Sequence, residues 1–138
     1  QTGDVDFFSM DLDGNDLHFT LPMLKLVNPK LLCVEYNGNF PPPISLCLPY
    51  EQNFAYGHND YYGATLQAWV DALESYTLVS CDASGVNAFF VRKDLMAPFI
   101  VYQTEMLYQR PRYWLSFTHT GHHPSFGWLK NALGEPIS

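Results

Sequence analysis

The chain is short of basic charge, of cysteine and of long apolar runs, and each shortage removes a class of function. Seven Lys and Arg residues stand against fourteen Asp and Glu, for a formal net charge of -7. Nucleic-acid phosphates are gripped by clustered cations. The largest basic groupings here are Arg92-Lys93 and Arg110/Arg112, so nucleic acid is not expected as a partner. No apolar stretch reaches the roughly 20 residues that cross a bilayer, and no charged-then-apolar segment opens the 138 residues. No membrane partner is expected either. The three cysteines, Cys33, Cys47 and Cys81, are an odd number without CxxC spacing. That pattern fits reduced, packed thiols in a cytoplasmic protein better than a disulfide or zinc framework.

What is present is a core. Hydrophobic residues make up 47% and aromatics 16%, enough to fold and too many for a disordered chain. The length suits one domain. The sequence opens Gln1-Thr2-Gly3 and enters a strand almost at once, which raises the expectation of a fragment or processed product.

Val5 to Met10 reads as a strand, apolar at most positions, as when helices cover both faces of a sheet. Asn15 or Asp16 can cap a short helix bearing Leu17, Leu21 and Leu24, with Pro22 starting, bending or breaking a turn and Asn28-Pro29-Lys30 ending it. Leu31 to Tyr36 is a second strand. A long polar, proline-rich loop follows, of a length more often functional than idle. Ala64 to Ser75 carries Leu66, Trp69, Val70 and Leu73 at helical spacing. Tyr76 to Cys81 and Asn87 to Arg92 are two further strands across the turn Asp82 to Val86. Helical connections between the first three strands imply parallel neighbours, and the short last connection implies a hairpin. The expectation is an α/β sheet, mostly parallel with a closing antiparallel strand. Residues 1–95 would form it, and 96–138 an aromatic-rich extension packed on it.

The most telling stretch is DFFSMDLDGNDLHF, residues 6 to 19, where an apolar run ends in Asp11, Asp13 and Asp16. DLDG after a strand resembles the first motif of haloacid-dehalogenase-type hydrolases, but no later strand ends in the paired acids that would hold Mg²⁺. A calcium loop with Gly14 sixth would place Thr20 where a bidentate Glu is required, and is rejected. Asp11-Leu12-Asp13 could instead be the DxD of a metal-dependent glycosyltransferase. A fourth reading uses every element, because ligands of open α/β sheets lie beyond the carboxyl ends of the strands. Asp11 and Asp13 would then share a rim with Glu35 and Asn37.

On that rim a resemblance enters. SMDLDGND, then PKLLCVEYN, YYGATLQAW and VNAFFVRKDL, resembles in order the later half of class I S-adenosylmethionine-dependent methyltransferases, more narrowly the FkbM-related ones, over roughly residues 5 to 95. The resemblance implies a partial Rossmann-like three-layer sheet whose last strand inserts antiparallel. It also implies S-adenosylmethionine as cofactor and a small or sugar-like acceptor, methylated at oxygen. The family's Gly-rich cofactor turn has no counterpart, since none of the chain's glycines forms GxGxG. The chain thus resembles a carboxyl-terminal half, with Val5–Met10 as an exposed edge prone to self-association. The alternatives are a DxD glycosyltransferase fragment and a non-catalytic domain.

The site candidates follow. Asp11 and Asp13 would meet cofactor or acceptor, although Asp13 and Asp16 could equally shape the turn and cap the helix. Glu35 within an apolar strand is costly unless paired, and would serve as a general base beside Asn37 or take a structural hydrogen bond. His58, before the amphipathic helix, could accept a proton or lie in a solvated loop with Tyr61 or Tyr62 packed on the core. His119, His122 and His123 suggest zinc, but nothing aligns them and an ordinary loop is preferred. Arg92 is expected to pair with a surface acid.

Overall fold

The structure, a computed structural model, describes residues 3–116 and 121–135. Four strands form one open mixed sheet: β1 (Gly3–Met10), β2 (Val27–Glu35), β3 (Tyr76–Cys81) and β4 (Asn87–Arg92), in the order β1-β2-β4-β3. The last two occupy the residues expected. β2 begins earlier, so Asn28-Pro29-Lys30 extends the strand instead of ending a helix. Pro29 is tolerated because the β2–β4 register starts at Leu31↔Val91, leaving no ladder partner on that side for a Pro29 N–H. Its carbonyl accepts from Tyr76 Oη at 2.9 Å.

The expected sheet was mostly parallel, but only β1 and β2 pair that way. β4 lies between β2 and β3 and is antiparallel to both. β1, β2 and β3 therefore share one direction without being neighbours throughout. The turn before β4 is held by Asp82, whose carboxylate accepts from Val86 N, Ser84 Oγ and Asn87 Nδ2. Burial pushes the Asp82 carboxyl up, but these hydrogen bonds outweigh it and hold the group below its ordinary range. Arg92 pairs with Asp94 at 2.7 Å and Asp4 at 3.2 Å, as expected of a surface cation.

Helices cover one face. α1 (Asp16–Met23) contributes Leu17, and α2 (Leu66–Ala72) contributes Leu66, Ala68 and Trp69, to a core with Leu32, Val34, Phe90 and Leu78. Thr65 caps α2, its Oγ1 accepting from Ala68 N and Leu46 N and donating to Ile44 O. On the other face, Phe7 is half exposed and Leu31 and Phe89 are partly exposed. Three layers are therefore not seen among the described residues, and β1 is largely exposed where burial on both faces was expected.

The long loop folds back on itself, with Leu46 and Leu48 bonded to Thr65 and Gly63. α3 (Thr104–Leu107) and α4 (Gly127–Leu133) belong to the C-terminal region. Tyr108 Oη donates to Gly38 O, and Tyr36 Oη to Gln109 O, so this region is bonded to the sheet's carboxyl rim. The three cysteines are free thiols. No helix among the described residues is long and apolar enough to cross a membrane.

Candidate acidic site at the strand ends

The parallel register ends at Met10↔Val34, which places the next residues, Asp11 and Glu35, side by side at the carboxyl end of the β1–β2 pair. Both carboxyls are pushed up, and Glu35 feels the Asp11 charge most strongly of its neighbours. Asp16, at the start of α1, completes a trio whose ligand atoms all lie within 4.8 Å of one another. The turn between them is built by Asp16, which is almost wholly buried and accepts from Leu12 N at 2.7 Å and Gly14 N at 2.8 Å. Asp16 thus shapes the turn behind it and does not cap α1, whose N-cap Asn15 makes no side-chain cap bond.

Three acids together make ionisation costly. Burial, then the charges of Asp11, Asp16 and Asp13, push Glu35 up to about 8. Burial and the neighbouring Asp13 and Asp16 raise Asp11 as well, against the opposing hydrogen bond from Glu35. Near neutral pH Glu35 is therefore protonated. The backbone beneath is fixed because Trp69 Nε1 donates to Glu35 O at 2.9 Å.

The other sequence candidates separate. Asp13 is exposed, with φ 59° in the left-handed region that Asp tolerates better than most residues. It stands outside the close trio of Asp11, Asp16 and Glu35. Asn37 is fully buried, and its amide is fully engaged. Nδ2 donates to Asp60 O and Tyr62 O, and Oδ1 accepts from Asn39 N and Nδ2. Its place is structural, clasping the long loop to the end of β2. His58 is exposed, with its ring 5.0 Å from that of Tyr56, while Tyr61 and Tyr62 are buried.

Sequence reasoning missed an aromatic wall. His122 takes Tyr56 Oη at Nδ1 and Tyr62 Oη at Nε2, and Tyr62 Oη also meets Tyr113 Oη at 3.4 Å. Burial raises all three phenols, and the Glu35 charge adds to each, placing this wall beside the acids. His123 pairs through its backbone with Asn59 and Asp60. Neither histidine joins the acidic trio, the sole metal-capable group among the described residues. His119 lies outside them. The signal that could have found the wall was only the recurrence of Tyr and His in loops far apart in the chain.

The arrangement can take a proton from a hydroxyl or hold a divalent cation. No family model, curated protein or solved structure matches the chain.

Proposed function

We propose that the chain carries the acceptor side of an S-adenosylmethionine-dependent O-methyltransferase, with Glu35 as general base and Asp11 as its electrostatic partner. The observation that carries this reading is β4 running antiparallel between β2 and β3. This is the strand insertion that the resemblance implies, and it leaves the carboxyl ends of β1 and β2 adjacent and acidic. The partial Rossmann-like reading rests on the same order. The described residues do not themselves form a cofactor cradle: there is no GxGxG turn, and Asp13 is exposed. The chain's own part is to align an acceptor hydroxyl and take its proton on the Glu35 carboxylate, with Asp11 beside that group and Trp69 fixing the Glu35 backbone.

The test is methyl transfer from radiolabelled S-adenosylmethionine by the natural gene product. The rate should rise with pH toward about 8, where Glu35 becomes ionised, and Glu35→Gln should cut it roughly 100-fold or more. A Glu35→Gln protein that transfers at the wild-type rate would sink the assignment.

One observation favours a second reading, metal-dependent glycosyl transfer: the convergence of Asp11, Asp16 and Glu35. Mn²⁺-dependent binding of a nucleotide sugar, lost in Asp11→Asn, would establish it in place of the first.

A further inference from the structure

A cleft of about 620 Å³ lies beside the acidic rim and has no place in the chemistry above. One wall is the loop carrying Tyr50, Glu51, Phe54 and Tyr61, and the other carries Asn131 of α4 and Glu135 just beyond it. The cleft is joined to the acids in two ways. Asn15 Nδ2 donates to Glu51 O at 2.8 Å while Glu51 N donates back to Asn15 Oδ1 at 3.2 Å. The Phe54 ring lies directly over Gly14, where a Cβ would overlap it. The opposite wall is fixed as well. Gly127 allows α4 to sit against the Tyr61 ring, and Trp128 packs on that ring at 4.7 Å while its Nε1 donates to Asp60 O.

The volume falls within the usual range for small-molecule sites, and the lining selects a chemistry. Among the described residues no Lys or Arg lines the cleft, and two carboxylates do, which disfavours phosphates and other anions. Glu51 and Glu135 are exposed, so a cation would gain only a screened attraction. Carboxylates accept only, and the Asn131 carboxamide both accepts and donates, which suits a ligand rich in hydroxyl donors. Aromatic rings offer flat apolar faces to the C–H face of a sugar ring.

We infer that this cleft binds a neutral saccharide, the body of the acceptor whose hydroxyl is presented at the Glu35 rim. The inference rests on the methyl-acceptor reading for its purpose but not for its test, since binding is measured without any transfer.

The 138-residue chain would be titrated with neutral disaccharides of glucose, galactose and mannose, and separately with choline, spermidine and inorganic phosphate. Trp128, packed on Tyr61, provides a fluorescence readout, with calorimetry as its check. Binding of at least one disaccharide at millimolar concentration or below is expected. Tyr50 is 56% exposed, so Tyr50→Ala should keep the fold while weakening binding about tenfold. Asn131→Ala, also at an exposed position, should weaken it too. Absence of saccharide binding, tighter binding of choline, spermidine or phosphate, or binding indifferent to both substitutions would each overturn the inference. Saccharide binding together with a transfer rate untouched by Glu35→Gln would keep the cleft and discard the base.

Discussion

At the scale of single residues, Glu35 is a carboxyl held far from its ordinary ionisation. Its folded pKa of about 8 lies above the ordinary glutamate value of 4.5. An acid raised by folding costs nothing below its unfolded pKa, where both states are protonated. As pH rises through 4.5 the unfolded chain ionises and the fold loses stability, and the loss levels off once the folded group ionises near 8. Glu35→Gln should therefore stabilise the protein at pH 7 by about 1–3 kcal/mol and flatten its stability between pH 5 and 8. Urea unfolding midpoints at the two pH values check this, and an unchanged slope would count against the raised Glu35 carboxyl. Gly14 sets a steric limit at the same turn. Gly14→Ala should cost about 1–3 kcal/mol by driving a methyl into the Phe54 ring. The double variant with Phe54→Ala should lose less than the two single effects combined, as thermal melts would show.

At the scale of elements, the clearest division is between residues that act and residues that hold. Asn37→Ala would leave two loop carbonyls and the Asn39 donors without their buried partner. It should cost about 2–4 kcal/mol of unfolding free energy. A saccharide titration of the surviving fold would show that this loss is one of stability and not of chemistry. The limits of β3 and β4 were legible because Tyr76–Cys81 and Asn87–Arg92 are apolar runs bounded by a polar turn. The start of β2 was not, because proline argues against strand by local rules and only the absence of a ladder partner beside it permits Pro29. α2 is shorter than its apolar pattern, since Thr65 caps it and Ala64 instead bridges to Cys47. Asp11 and Glu35 were legible as acids ending apolar strands. Asp16's turn and the Tyr56–His122–Tyr62–Tyr113 wall were not, because loop contacts between distant residues leave no periodicity to read.

At the scale of the whole molecule, the uncovered side of the sheet dominates. β1 has one strand neighbour, and Phe7 stands 51% exposed on the face that no core helix covers. Exposed apolar edges tend to pair. The isolated chain is therefore expected to self-associate in a concentration-dependent way, and Phe7→Lys should move it toward monomer in sedimentation velocity. Equal sedimentation of the two proteins at all concentrations would show that this face is not the contact.

The proton on Glu35 also has a mechanical side. β1 is held along one edge only, and just past its end Asp11 sets its charge against Glu35. When the strand frays from this end, Glu35 is freed from the Asp11 charge and releases the proton to solvent. Fraying is therefore drawn forward by alkali and suppressed by acid. The strand's last residues form a latch whose closing force is set by the buffer, and amide exchange along Ser9 and Met10 would quicken as pH approaches 8 by more than the ordinary base catalysis of exchange.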